Sequence, residues 1–347
     1  HLYHRRQRQM CIRDRALPAL ITGISLMCME VMNELGTFAL LNIPSISTGI
    51  AENWIIEGNP KSAIGLSLVA LLIVFTLIIF EKFSRRKSKR WSENPASKDS
   101  QGWELKKTRA FLAITVSLFP PIFSFGIPCF WILLNIDQIQ KGLSIELLTL
   151  SIRTISIGLF TALITIIFSL IISLARRPNK SLFLGIITNL SGIGYAIPGT
   201  VLALSLISIS SSKFNFIAIC LLIWGYLVRF LTISKGSIDS SLERISPSLD
   251  EAALGLGEDW LGIIKRIHLP LLQGPIFVGS LLVFVDTIKE LPITFILRPF
   301  DFDTLSVRIY QYAGDERMVE AISPAILIMV LGLIASLTLI PSLEKKN

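Results

Sequence analysis

Charge is what this chain has least of. Of its 347 residues only 17% are charged, whereas 52% are hydrophobic and the mean hydropathy is +0.64. Soluble domains carry about a quarter charged residues, so the shortfall excludes a disordered chain and argues against a soluble globular enzyme. Histidine and cysteine are scarce too. His1, His4 and His268 are the only three histidines, and they form no metal-binding spacing. Of the four cysteines, Cys28, Cys129 and Cys220 fall in apolar segments and read as buried free thiols; with Cys11 they make no disulfide or metal framework. No GxxxxGK[ST] loop occurs, so any nucleotide is bound elsewhere. No nucleophile, base and orienter stand in a recognisable pattern. The chain reads as having no catalytic residues, no metal ligands and no cofactor of its own.

Long apolar runs are what is present. Ser62 to Phe80, Thr154 to Ala175 and Leu331 to Ile340 hold no charged residue. A bilayer core of ~30 Å takes about 20 helical residues to cross. Eight such segments emerge, at 17–41, 62–80, 111–133, 148–175, 182–209, 215–234, 275–297 and 322–341. The fold class is therefore an all-α polytopic membrane protein, with the lipid bilayer as its first partner. The net charge of +8 is local: residues 1–15 supply +4 and 81–110 supply +6, leaving −2 for the rest. No basic face is spread over the chain for nucleic acid. Alternate loops 81–110, 176–181, 235–274 and the tail after Pro341 hold 19 Lys or Arg, against six in 42–61, 134–147, 210–214 and 298–321. The basic side is expected to be cytoplasmic, with the C-terminus inside.

Residues 1–15 have no apolar core and are no signal peptide. Met10 to Arg15 resembles translated sequencing adapter, so 1–15 is expected to be a non-native leader; a basic cytoplasmic loop is the alternative. Residues 81–110 form a polar basic linker, either against anionic headgroups or solvated. The segment 17–80 returns at 273–336 with a constant, gapless offset of 256. Gly23 matches Gly279, Glu30 matches Asp286, Glu34 matches Glu290, Leu35 matches Leu291, Thr48 matches Thr304, Trp54 matches Tyr310 and Gly58 matches Gly314. Aligned acids in membrane segments are costly and uncommon, which marks a duplication. The expected organisation is 16–80 as the last two helices of a first unit, 81–110 as linker and 111–347 as a complete six-helix unit. The first unit then lacks its upstream part, as in an N-terminally truncated twelve-helix architecture.

The loop 235–274 has its own chemistry. Ser248 and Glu251 fit a capping box, Gly257 is placed to end the helix, and Asp259 can cap a second short helix ending before Pro270. The first helix is expected to expose the small residues Ala252, Ala253 and Gly255. The spacing Glu251-Ala252-Ala253, three residues, Gly257, nine residues, Ile267, one residue, Leu269-Pro270 resembles the signature of ABC importer permeases, inner-membrane subunits of binding-protein-dependent transport. The resemblance implies that this is the coupling loop docked on a separate ATPase, two copies per transporter, with Glu251 meeting a basic group there and Gly257 allowing a sharp turn. An amphipathic interfacial helix is the alternative. Further similarity runs through Gly194-Tyr-Ala-Ile-Pro-Gly199, Tyr226-Leu-Val-Arg-Phe230, Arg244 to Ala252, Phe284 to Pro292 and Leu297 to Thr304, and points to the fused two-unit ferric iron permeases. It implies a bacterial inner-membrane location and a periplasmic substrate-binding protein as partner. Relatives of that branch carry thiamine, phosphonates, polyamines or oxyanions, and these stay open as substrates.

Asp286, Lys289 and Glu290 lie in one apolar segment, with Asp286 and Glu290 four apart on one face. Glu30 and Glu34 repeat that face. They are expected either to line the translocation path or to be ion pairs that fix helix packing. Arg229 reads as lying near a helix end, able to snorkel. Asp301, Asp303, Asp315 and Glu316 fall in an external loop. A second function class, an ion-coupled secondary transporter with these acids as carriers, is opposed by the complete loop signature.

Overall fold

A computed structural model describes residues 20–21, 23–88, 105–137, 144–178, 181–209 and 215–344. The leader 1–15, Cys11 and most of the 81–110 linker lie outside the described residues. Among the described residues every regular element is helical, and the protein is an all-α polytopic membrane protein. In chain order the elements are α1 (23–33), α2 (Gly36–Leu40), α3 (Ile46–Ile55), α4 (Pro60–Ser88), α5 (Thr108–Leu134), α6 (Ile145–Arg176), α7 (Leu182–Leu190), α8 (Gly199–Ile209), α9 (Asn215–Leu242), α10 (Pro247–Gly255), α11 (Trp260–Lys289), α12 (Pro292–Leu297), α13 (Leu305–Gly314) and α14 (Ile322–Glu344). Six helices among the described residues are long and apolar enough to cross a bilayer, or seven if the bent pair α7–α8 counts as one span.

Three of the eight expected apolar segments are not single helices. The segment 182–209 bends by 113° around the 3-10 turn Gly194–Ala196 and Pro198. The segment 17–41 breaks at Glu34–Leu35, and 275–297 breaks at Glu290–Leu291. Uniform apolarity concealed these breaks, because hydropathy does not register which backbone bonds are missing. Pro198 and Pro292 mark two of them, since proline lacks the N–H a continuing helix needs. The segment 215–234 is longer than its apolar run: α9 continues to Leu242, so the connection expected over 235–274 is shortened at one end.

The two breaks at 34 and 290 fall 256 residues apart, as the duplication requires. Beyond them the gapless register fails. α13 begins 259 residues after α3, and α14 begins 262 after α4. The second copy carries three extra residues before α13 and three more before α14. The pairings Thr48–Thr304, Trp54–Tyr310 and Gly58–Gly314 therefore do not hold. The structural equivalent of the N-cap Thr304 is the N-cap Ser45: each accepts a hydrogen bond from the amide three residues on, Thr48 and Val307 respectively.

Packing centres on α6, α8, α9, α11 and α12. Ile157, Leu202, Tyr226, Phe230, Val283 and Ile293 belong to one buried cluster. Ile50 of α3, Ala63 and Ala70 of α4 meet Val201 and Leu204 of α8 in another, which joins the 17–80 repeat to the later helices. α5 is different. It contains Pro120, Pro121 and a π-turn at Ile122–Gly126, and none of its residues is buried. The expected first helix of the 111–347 unit thus packs no buried face. The free Cys28, Cys129 and Cys220 are exposed on helix surfaces, not buried as their apolar surroundings suggested.

Candidate functional site

The three helix breaks converge on one side chain. Arg229 stands mid-way along α9 and is 2% exposed. It does not snorkel from a helix end: the eight extra residues of α9 place it deep in the span. Its Nη1 donates to Asn33 Oδ1 at 2.9 Å, at the end of α1, and to the Ile197 carbonyl at 3.0 Å, at the α7–α8 break. Its Nε lies 3.6 Å from Glu290 Oε2, at the α11–α12 break, and Nη2 lies 4.0 Å from Glu30 Oε2. The guanidinium stacks 5.3 Å from the Tyr195 ring centroid, and Tyr195 donates its hydroxyl to Glu30 Oε2 at 2.9 Å.

A broken helix inside a membrane frees backbone groups that lipid cannot satisfy, at several kcal/mol each. Here side chains take them up. Asn33 Oδ1 accepts the Gly199 amide at 2.6 Å. Glu290 Oε1 accepts the Ile293 amide at 3.3 Å, and the Glu290 carbonyl accepts the hydroxyls of Thr294 at 2.7 Å and Ser306 at 3.0 Å. In the first copy Ser47 donates to the Met32 carbonyl, and Glu34 accepts the Thr37 amide at 2.9 Å. Glu34 and Glu290 each accept the amide three residues on, so that device is duplicated, whereas Ser47 and Ser306 hold the same place in α3 and α13 but meet different carbonyls. Gly199 is required by close approach: a Cβ there would stand 2.9 Å from both Asn33 Oδ1 and Glu290 Oε1.

Glu30, Asn33, Glu34, Lys289, Glu290 and Ser306 line a chamber of about 280 Å³, with Arg229 behind Asn33 and Glu290. Of the five intramembrane residues expected to share a face, four come together. Lys289 Nζ is 3.0 Å from Asp286 Oδ1 and 3.9 Å from Glu30 Oε1. Glu290 is buried against Arg229. Glu34 departs: the chain breaks at the second acid of each pair, so Glu34 is exposed and caps α2. The cluster holds the three carboxylates of Glu30, Asp286 and Glu290 against the two cations of Arg229 and Lys289, a formal charge of −1. Among the described residues no three acids, histidines or thiols converge as a metal ligand set. The sequence holds no sign of Asn33 and marks Arg229 only as a side chain able to snorkel, because a lone Arg or Asn in an apolar run carries no spacing signal.

At the basic end of the bundle lies the α9–α11 connection. α10 is capped by Ser246, whose hydroxyl accepts the Ser248 amide, with Pro247 in its first turn. The Ser248–Glu251 capping box does not form, since the helix starts two residues earlier. The far end follows the expectation. Gly257 has φ +87°, and the amides of Gly257 and Glu258 donate to the carbonyls of Leu254 and Ala253 at 3.0 and 3.1 Å. That is a Schellman ending, whose left-handed residue favours glycine. Asp259 caps the next helix through the Gly262 amide at 2.8 Å. This helix does not end before Pro270. A π-turn at Ile264–His268 absorbs the missing proline donor, and α11 runs on to Lys289. Glu251, Ala252 and Gly255 are exposed, with Leu249, Leu254 and Leu256 beside them, while Ala253 is buried at 7% and faces inward. Pro270 is exposed; Ile267 and Leu269 are half-buried.

The chain is 26% identical over 330 residues to an Fe(3+)-transport system permease protein, FbpB 2, of Haemophilus influenzae, a match covering 92% of this chain and 64% of the relative. This chain is similar to a transport permease along most of its length. It spans less than two thirds of the length of that relative. No family model matches it. Two solved structures of a bacterial alginate ABC transporter, one in complex with an alginate-pentasaccharide-bound periplasmic protein, are 15% and 16% identical. The matches cover 67% and 69% of this chain and 93% and 97% of theirs, each with a TM-score of 0.47.

Proposed function

We propose that the chain is the membrane-spanning part of an ATP-driven importer for ferric iron handed over by a periplasmic binding protein. It does no chemistry itself. A separate ATPase, in two copies, docks on α10, with Glu251 at the contact and the Gly257 turn, Ile267, Leu269 and Pro270 setting the shape behind it. Residues 16–80 are the end of a first permease unit, and 111–347 are a second one. The site is the bacterial inner membrane, with α10 and the C-terminus in the cytoplasm.

The observation that carries the reading is the complete loop signature on an exposed, Schellman-ended helix, in a chain similar along 92% of its length to an iron permease. The acids of the chamber give iron less support than their number suggests, because Arg229 and Lys289 offset two of the three charges of Glu30, Asp286 and Glu290. The substrate therefore rests on the sequence similarity. Thiamine, a phosphonate, a polyamine or an oxyanion is the other substrate reading within the family. Glu30, Asp286, Lys289, Glu290 and, at the rim, Glu34 remain the proposed path-lining residues.

The test is uptake of ferric iron by cells lacking other iron importers and expressing the chain with its natural flanking sequence, binding protein and ATPase. Iron accumulation that requires the ATPase is expected. Accumulation of thiamine or a phosphonate without iron overturns the substrate. Ion-gradient-driven uptake without any ATPase overturns the importer reading.

A further inference from the structure

We infer that Arg177, Asp250 and His268 form a clamp that fastens the Glu251-bearing helix to α6 and α11 at once, so that a push on α10 is delivered to the chamber along α11; this rests on the coupling reading of the loop. Arg177 follows the last turn of α6. Its Nε pairs with Asp250 Oδ2, its Nη1 donates to the Leu242 carbonyl at 2.9 Å, and its Nη2 donates to the carbonyls of Ile245 at 2.9 Å and Ser246 at 3.3 Å. A helix leaves its last carbonyls open, and this guanidinium takes up those between the end of α9 and the start of α10. The fork geometry of arginine suits such convergent acceptors, which an ammonium could not meet together.

The second carboxylate oxygen of Asp250 lies 3.1 Å from His268 Nε2. His268 is fully buried within the π-turn of α11, with its ring centroid 5.7 Å from that of Trp260. One carboxylate is thus hydrogen-bonded to Arg177 through Oδ2 and packed against His268 through Oδ1, which has no hydrogen-bond partner among the described residues. Beneath it, Ile166 and Leu174 of α6, Ile238 and Leu242 of α9, and Leu272 of α11 pack as a single cluster. The next residue, Glu251, stays exposed. Of two adjacent acids, one is spent inward and the other is left for a partner.

From Leu269 to Lys289 α11 has 21 residues, about 32 Å at 1.5 Å per residue. Its far end carries Asp286 and Lys289 and breaks at Glu290, against Arg229. A displacement of the His268 end must therefore appear in the chamber or be absorbed as a bend at Pro275. A clamp that merely stabilised the fold would not affect that transfer.

The test uses the transporter assembled with its ATPase in membranes, native cysteines replaced, and Lys289→Cys added as a reporter. Labelling by a membrane-impermeant maleimide is compared with and without ATP and vanadate. The nucleotide is expected to change the labelling rate about fivefold or more, the scale of a typical coupling free energy. In Asp250→Asn, and in Arg177→Lys should the first not accumulate, that ratio is expected to fall to one while the ATPase still co-purifies. A preserved ratio in either variant, or a ratio of one in the parent, overturns the clamp. Loss of ATPase co-purification in Asp250→Asn also overturns it, by making Asp250 part of the docking face. If Glu251→Lys and Gly257→Asp still bind the ATPase normally, the coupling reading fails instead.

Discussion

Arg177 and Arg229 lie in the same bundle, and both are largely out of contact with solvent, yet they are held in opposite ways. Arg177 engages all three guanidinium nitrogens in hydrogen bonds, three of the bonds to backbone carbonyls. Arg229 engages only Nη1; its Nε has no hydrogen-bond partner, and its carboxylates stand at 3.6 and 4.0 Å. Those separations exceed a hydrogen bond and act through charge alone. The first arginine is fixed by shape and the second by charge. A shape-fixed group suits a mechanical joint, whereas a charge-held group can exchange partners when helices around it move.

The largest expected effect comes from removing the chamber charge. Arg229→Leu leaves Glu290, 5% exposed, without its nearest cation, at a cost of about 3–5 kcal/mol. Thermal unfolding in detergent reads this, and Glu290→Gln added to Arg229→Leu is expected to restore part of the loss. No change in melting temperature would show that the chamber cation is dispensable. The sharper contrast is lysine at each site. Arg177→Lys loses the forked bonds to carbonyls and is expected to cost about 1–3 kcal/mol, more than Arg229→Lys, which keeps the charge. Equal costs would break the comparison. The smallest effect belongs to the rim. Lys289 is 51% exposed at the side chain, so Lys289→Gln is expected to change stability by less than about 1 kcal/mol; a larger drop by the same melting assay would move Lys289 into the structural core of the chamber.

The α9–α11 connection was more legible in sequence than the chamber, for a physical reason. A left-handed turn and a helix cap each demand a residue type, and Gly257 and Asp259 supply them. Gly257 and Asp259 accordingly fall where expected. Ser248 did not cap, because Pro247 can occupy the first helical turn and so moves the cap to Ser246. In the chamber, the arrangement comes from interruptions. The acids at 30, 34, 286 and 290 were visible as costly charges. The breaks beside them were not, since the Glu-Leu-Gly and Glu-Leu-Pro runs at 34–36 and 290–292 interrupt stretches that stay apolar throughout. Arg229 and Asn33 could be recognised only once those breaks were seen to leave Ile197 and Gly199 unpaired. The repeat was legible up to the break; the three-residue slips after it lie in polar loops where identities carry little weight.

The account turns on α10 being the docking surface for an ATPase. Co-purification of the ATPase subunit with the chain in its natural flanking sequence tests this most directly, comparing the parent with Glu251→Lys and Gly257→Asp at equal membrane expression. The account predicts that the parent retains the subunit and that both variants lose at least nine-tenths of it, as expected from a loss of about 1.4 kcal/mol or more in binding. Retention by both variants at the parent level would contradict it.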